Sequence, residues 1–530
     1  MVDPGGAVKP DYDVAILGGG LAGGLLCRQL RLQRPDLRVL CCERATETSF
    51  KVGEATVELF SNYLVRKLGL STYLYENQLP KNGLRFFFDR ETRDAPLYEM
   101  SEIGSLSLPY HPSFQLDRQA LERELRTSGV ALGAEFLEGS KVLDVRLGSP
   151  HHVVTFEEGS RTRTVTAGFV ADASGRASIL AKQMGLRVPV PGHRCLGSWA
   201  RVRNMVDLDG PDIDAAFRGR VRNSARRLST VHFVHRGYWI WLIPLRGGVT
   251  SVGVVGDARR LSRDVLSQDG LRRFLNGHRA VRELLAPAEW IDFGAYGQLA
   301  YGTRQWFGDR WALIGEAAAF TDPFYSPGSD FITLANDFTT DLIARRCRGE
   351  DIAERQKLYD GYLQFRFAAN LPLYQDQYEL FGSFELLSAK WDFDVANYYN
   401  LWVEDYLQDR HLDLEHLRTE LRRQAFVVRA LERFGALFAA AERAVTARGE
   451  YAKKNLGMFA EGLGAIDFVA MMGKRCRKTT DEESLRIFAK ARDRCFALLG
   501  RPVVAGEQLA FTDFVTGRAM AGAFQGSAHG

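Results

Sequence analysis

Between residues 11 and 342, short apolar runs rich in β-branched residues alternate with stretches whose apolar positions recur every three or four residues. The runs Asp13 to Leu17, Arg38 to Cys42, Val153 to Phe156, Phe169 to Asp172, Thr250 to Val255 and Trp311 to Ile314 read as strands. The alternation predicts an α/β nucleotide-binding body of two or three layers with an inserted antiparallel sheet. After Leu342 helical periodicity takes over, strand signals nearly vanish and prolines are few, so residues 343–520 are expected to form a helical C-terminal region. The first ten residues and those from about Gly522 are rich in glycine and small side chains and read as frayed ends. No internal repeat breaks the pattern.

Composition narrows the class. With 530 residues, 46% of them hydrophobic, the chain can bury a large core in two or three structural units. Lys and Arg number 69 against 65 Asp and Glu, a net +4, so the overall balance points neither to nucleic acid nor to an anionic membrane. The seven cysteines include the neighbours Cys41 and Cys42 but no CxxC pair, which fits neither a disulfide framework nor a zinc site. No metal is expected, and the usage suits a reducing cytoplasm. The start MVDPGGAVKP lacks an apolar signal core and no run of eighteen apolar residues follows. Stable membrane insertion and export are therefore not expected.

The first chemistry sits where a strand meets a helix. After Asp13 to Leu17 comes Gly18-Gly19-Gly20-Leu21-Ala22-Gly23, a GxGxxG turn, and then an apolar helix from Leu21. Gly18 allows the tight turn, Gly20 lets the backbone approach a pyrophosphate, and Gly23 lets helix pack close to strand. The helix N-terminus at Leu21 and Ala22 faces the phosphate charge. Twenty residues beyond Gly23, at the end of the next strand, Glu43 can take ribose hydroxyls. Together these predict a dinucleotide cradle.

Two later strands end in small-residue turns carrying an acid: Phe169 to Arg176, with Asp172, and Arg310 to Ala318, with Gly315 and Glu316. Here the chain resembles the flavoprotein monooxygenase superfamily, which places an acid from a Gly-Asp-Ala turn beside the ribityl chain. The resemblance implies FAD, with Glu316 standing where Asp is usual and with Arg118, in Phe114 to Arg118, as an arginine near the cofactor. There is one GxGxxG and no second one for NAD(P)H. Reduced flavin is then expected from a separate flavin reductase.

Further signatures narrow the resemblance to flavin-dependent halogenases of the tryptophan-halogenase-like family. Trp239 to Pro244 reads WxWxIP, with Trp239, Trp241 and Pro244 closing the space beside the flavin. Val52 to Thr56 is similar to the GEAT segment, placing Ala55 near the cofactor, and Lys81 precedes an aromatic strand as the catalytic lysine of that family does. Hypohalous acid is indiscriminate when free, so an ammonium that hydrogen-bonds it, or an amine that becomes a haloamine, must hold it against one ring carbon. Arg85 is a weaker candidate on that strand. Phe320 to Asp330 is similar to the FxxPxxSxG stretch, with Ser326, Pro327, Gly328 and Ser329 next to halide and flavin. Pro327 has no N–H, leaving the amides of Gly328 and Ser329 for the anion. Tyr325 stands where tryptophan halogenases have glutamate, so phenolic or similarly activated rings are expected in preference to free tryptophan; an acid of the helical region, for instance Asp376 or Glu379, is the alternative base.

The resemblance covers residues 11–340. It implies FADH2-dependent chlorination or bromination of an electron-rich aromatic ring, phenolic or tethered to an acyl or peptidyl carrier protein, by way of a flavin C4a-hydroperoxide and hypohalous acid directed by Lys81. O2 and chloride or bromide are the co-substrates. An FAD-dependent aromatic hydroxylase, a flavin-linked reductase of a secondary metabolite and a non-catalytic flavin-binding module are the competing readings. Substrate-stimulated NAD(P)H oxidation by the isolated chain would mark the hydroxylase. The aromatic-rich stretch from Tyr374 to Trp402 reads as core or as a wall over the substrate, and the arginines from 418 to 448 as a solvated face or a dock for an acidic carrier.

Overall fold

A computed structural model describes residues 9–462 and 464–500. The expected frayed ends fall largely outside the described residues, as does the part of the expected helical region beyond residue 500.

The first strand, Tyr12–Leu17, lies at the centre of the first sheet because five of its six residues are buried. It pairs in parallel with Val39–Cys42 on one side and Arg161–Asp172 on the other. Glu135–Leu137 and Trp311–Leu313 extend the parallel order outward. This is the doubly wound arrangement in which ligands bind beyond the carboxyl ends of the strands. Antiparallel strands His152–Glu158 and Val142–Arg146 attach to the long strand Arg161–Asp172.

A second, nine-stranded and mostly antiparallel sheet runs through Cys195–Arg203, Val249–Asp257, Tyr238–Pro244, Thr230–His235, Leu84–Phe88 and Ser101–Gly104. Period-two alternation sorts its side chains. Trp239, Trp241 and Ile243 face the main core, while Tyr238, Ile240 and Leu242 face a smaller core on the other side. The outermost member is Phe459–Glu461, parallel to Ser101–Gly104. A strand from the C-terminal region thus completes the sheet, where sequence periodicity showed helix alone.

Beyond the sheets the chain is helical: Gly328–Cys347, Ala353–Asn370, Phe384–Tyr398, Leu414–Ala447 and Arg477–Leu498. The 34-residue helix Leu414–Ala447 starts where Asp413 accepts a hydrogen bond from the His416 N–H at 2.7 Å. Such a cap satisfies one of the N–H groups that the first turn leaves unpaired. The helices share the main core with the α/β body: Phe86 packs on Trp391 and Phe88 on Phe384. Among the described residues no helix is long and apolar enough to cross a membrane.

Candidate functional site

The glycine turn has the shape its spacing predicts. Gly18 has φ +102°, and a Cβ there would lie 2.6 Å from the Ala173 carbonyl oxygen. A Cβ on Gly23 would overlap the Gly18 carbonyl oxygen. Gly20 is open: the nearest atoms to a Cβ there, Glu122 Oε2 and Lys51 Nζ, are 3.8 Å away. Helix Leu21–Gln33 starts with no side chain capping it, so the first amides, at Leu21 and Ala22, remain available to an anion. Glu43 is buried and accepts from the Gly19 N–H at 2.8 Å and the Ala45 N–H at 2.9 Å, which fixes it at the edge of the turn.

Arg118 opens helix Arg118–Ala131 beside this turn. Its guanidinium pairs with Glu122 at 2.5 Å and donates to the Val52 carbonyl at 3.1 Å, and Lys51 Nζ reaches Glu122 at 2.6 Å. Against the cost of burial, Arg118 and Lys51 keep the Glu122 carboxyl below its ordinary range. Two cations on one carboxylate leave a net positive charge by the turn. Lys51 was missed in the sequence, although it lies just before the GEAT segment.

Gly315, at φ +57°, opens the short turn that carries Glu316. The Glu316 side chain is 40% exposed along the cleft and lies 3.9 Å from Arg176. Arg176, Arg118 and Arg187 all favour its charged form, so charges from both ends of the cradle act on one group. Arg176 in turn stacks on Tyr296 and Tyr301. Asp172 is different: it is fully buried and accepts from the Ser174 and Leu180 N–H groups, which makes it part of its own turn. Open glycine, free helix amides, a positive cluster and an acid at the far end fit a dinucleotide-sized flavin cofactor.

The GEAT segment positions Lys81. Glu54 is buried against Arg201 at 2.7 Å, and Ala55 forms a bridge with Gln115. Thr56, next in line, accepts the Lys81 ammonium on its carbonyl at 2.6 Å, while the Lys81 N–H donates to the Ser113 carbonyl at 2.8 Å. Lys81 is 3% exposed. Burial pushes its ammonium down to about 8, with the charge of Glu58 opposing. Arg85 turns elsewhere: it pairs with Glu102, which also holds Arg226 at 2.9 Å, and it lies in the sheet and not in the site.

Lys81 lines a cavity whose far wall comes from the helical region through Trp391, Tyr398, Tyr399 and Trp402. The aromatic-rich stretch therefore divides, since Phe381, Phe384 and Phe393 are core. Tyr325 and Pro327 bring the halide-type loop to the same cavity. Ser326 there has φ +56°, and its N–H donates to the Pro323 carbonyl. Helix Gly328–Cys347 starts directly after Pro327, and Ser329 Oγ donates back to the Ser326 carbonyl at 3.1 Å. A Cβ on Gly328 would meet nothing within 4 Å, so its amide and that of Ser329 sit at an open helix start.

Trp239 and Trp241 stand behind this loop. Trp239 packs on Phe324 and donates to the Tyr378 hydroxyl at 3.2 Å; Tyr378 donates to Asp322, which also meets His193 at 2.7 Å and accepts the Phe324 N–H. Trp241 donates to Ser251, and Pro244 ends the strand. His193, Cys195 and Asp322 lie close enough to share an ion, yet His193 and Asp322 already bond each other.

The two acids named as alternative bases are elsewhere. Asp376 is exposed near Arg259, and Glu379 pairs with Arg260 at 2.7 Å. The cavity instead holds Glu58, Asp330 and Asp394, which the sequence alone did not single out. Asp394 accepts from Tyr325 and from Lys390, both at 2.7 Å. A carboxylate other than the two named thus stands directly against Tyr325. Of the basic residues after 413, Arg418, Arg422, Arg423 and Arg448 pair with acids of the chain itself.

Residues 11–330 match the FAD binding domain family model. A flavin-dependent halogenase from Dictyostelium discoideum is 27% identical over 440 residues, covering 76% of this chain and 72% of that protein. The 1H-pyrrole-2-carbonyl-[peptidyl-carrier protein] chlorinase of Pseudomonas fluorescens is 26% identical over 341 residues, 60% of this chain and 72% of that one. A crystal structure of halogenase PltM with phloroglucinol and FAD superposes with a TM-score of 0.70 at 18% identity, covering 91% of this chain and 96% of the other.

Proposed function

The chain belongs to the FAD binding domain family, and from that premise we propose that it is a flavin-dependent halogenase of electron-rich aromatic rings. One observation carries the reading: the Lys81 ammonium is buried in the wall of an aromatic-lined cavity to which the Ser326 loop also contributes. FAD is assigned to Gly18, Gly20, Leu21, Ala22, Gly23, Glu43, Ala55, Arg118, Gly315 and Glu316. Reduced FAD with O2 supplies, when bound, the oxidant that converts chloride or bromide to hypohalous acid.

The protein's own groups then do four things. The Gly328 and Ser329 amides hold halide, with Ser326 and Pro327 shaping the loop. Trp239, backed by Trp241, braces that loop from behind and keeps the ring substrate out of the flavin space, while Pro244 ends their strand on its other face. The Lys81 ammonium hydrogen-bonds the hypohalous acid and keeps it in the cavity. The cavity-lining aromatics of the helical region, Tyr374, Trp391, Tyr398, Tyr399 and Trp402, hold the substrate. A separate flavin reductase delivers reduced flavin, and the ring is phenolic or carrier-tethered, as a carrier-bound pyrrole is for one relative. The body, 11–342, then carries the oxidant chemistry, and the helical region, through residues between Arg366 and Gly462, covers the ring.

The test combines reductase, FAD, NADH, bromide or chloride and a panel of phenols, with mass spectrometry of the products. Lys81→Ala is expected to bind FAD and oxidise reduced flavin normally but to yield no halogenated ring. Full product yield from folded Lys81→Ala removes the lysine from the mechanism.

A further inference from the structure

Two charged side chains in the cavity wall have bonding capacity that the protein does not use. Asp330, in the first turn of helix Gly328–Cys347, and Arg366, on helix Ala353–Asn370, are 3% and 2% exposed. They meet at 3.5 Å, the outer limit of a hydrogen bond. Asp330 Oδ1 and Arg366 Nε and Nη1 are buried with no hydrogen-bond partner. Groups of this kind are costly to bury unless something pairs with them. The guanidinium face stacks on Trp402 at 4.0 Å and Nη2 is turned to Asp330, so the free part is the edge carrying Nε and Nη1, with the Tyr362 hydroxyl beside it. Asp394, in the same cavity, differs in having Lys390 and Tyr325 on its two oxygens.

We propose that Asp330 and Arg366 form an anchoring site for an ionisable hydroxyl on the aromatic ring, so that this cavity selects phenols over equally electron-rich rings without a free hydroxyl. The fate of the bound ring rests on the halogenase reading; the binding does not. The ring hydroxyl donates to Asp330 Oδ1, and the free edge of Arg366 donates to the ring oxygen. The groups facing Asp330 are Arg366, Glu58, Tyr374 and Tyr398. Burial, with Glu58 adding to it and Arg366 opposing, pushes Asp330 up to about 7, matched to a phenol that ionises near neutrality.

Proton transfer to Asp330 leaves the ring oxygen anionic beside Arg366 and enriches the ring carbons ortho and para to it. A ring carbon forms the carbon–halogen bond with its own electron pair. The oxygen–halogen bond of hypohalous acid breaks with its pair on oxygen, which takes a proton from Lys81 and leaves as water. The ring carbon then loses its hydrogen as a proton, Lys81 is reprotonated, and Asp330 returns the hydroxyl proton. One C–H and one hypohalous acid become one carbon–halogen bond and one water.

The protein with FAD is titrated with 4-nitrophenol and with its methyl ether, 4-nitroanisole, by equilibrium dialysis and by the absorption band of bound phenolate. The phenol is expected to bind at least tenfold more tightly than the ether and to show that band. Asp330→Asn and Arg366→Met should each weaken the phenol tenfold or more and leave the ether unchanged, with Arg366→Lys intermediate. Equal affinity of the two probes for the unaltered protein, a comparison that needs no variant to fold, overturns the proposal, as does a parallel loss of both in the variants. Halogenation is run separately with reductase, bromide, phloroglucinol and 1,3,5-trimethoxybenzene. Selective binding without halogenation of either ring defeats the halogenase reading and leaves the anchor standing. Halogenation with equal binding does the reverse.

Discussion

Lys81 carries a charge where the surroundings disfavour one. Its folded pKa of about 8 lies below the ordinary 10.5, so between those values the folded protein binds fewer protons than the unfolded chain. Stability therefore rises with pH across that window, and below about 8 the penalty is present in full, about 3 kcal/mol at ~1.4 kcal/mol per pKa unit. Lys81→Met, which removes the charge, is expected to melt higher than the parent near pH 7, with the gap closing towards pH 10.5, while ring halogenation is lost. Thermal melts across pH check this; a variant less stable at every pH would contradict it. Lys81 was legible because the GEAT segment and an aromatic strand flank it. Asp330 was not: it ends the Phe320 to Asp330 stretch, but an acid in a first helical turn is an ordinary sight, and only packing brings Arg366 against it from thirty-six residues away. Arg85 shows the converse, since period-two counting gives a face and says nothing of Glu102 waiting there.

At the scale of elements, the glycine turn separates folding from binding. A Cβ on Gly23 meets backbone, whereas one on Gly20 meets only open space and the ends of two long side chains. Gly23→Ala is expected to lower the melting temperature and FAD content together. Gly20→Ala should melt as the FAD-free parent does, yet bind FAD at least tenfold more weakly, because its methyl occupies the approach to the pyrophosphate. Flavin fluorescence titration and melting of the FAD-free proteins decide it; equal FAD affinity in Gly20→Ala would place the pyrophosphate elsewhere. This strand, turn and helix were readable because every part is local. The strand Phe459–Glu461 was not, because three residues carry no periodicity and its partner, Ser101–Gly104, lies more than 350 residues earlier. The same distance hid the division of the Tyr374 to Trp402 aromatics into core and cavity wall.

For the whole molecule, the shared core forbids a simple cut. Ending the chain at Leu342 would bare Phe86, Phe88 and Phe324, which pack on Trp391, Phe384 and Phe381. At roughly 2–3 kcal/mol for each buried ring, these three alone forfeit an amount comparable to the ~5–15 kcal/mol that holds a typical domain folded, and the rest of the shared core is opened to water as well. The fragment 11–342 is expected to be insoluble or unfolded by circular dichroism, and a fragment that folds and binds FAD would show the body to be independent. The single cradle makes a second expectation at this scale: the purified protein barely consumes NADH or NADPH until a flavin reductase is added. Rapid, substrate-stimulated NADPH oxidation by the protein alone would favour a hydroxylase.

The cavity has one wall from Glu58 and Lys81 and the other from Arg366 to Trp402. In descent, this gives mutation two separate places to act. A change at Trp391 or Trp402 alters which ring fits and spares the phosphate turn; a change at Gly23 does the opposite. What couples the two histories is the set of rings that meet across them: Phe324 stacked on Phe381 at 4.3 Å beside the halide loop, Phe86 on Trp391 and Phe88 on Phe384. A lineage drifting towards a new aromatic partner is free to rewrite the far wall, provided each intermediate still fills the places where those rings meet.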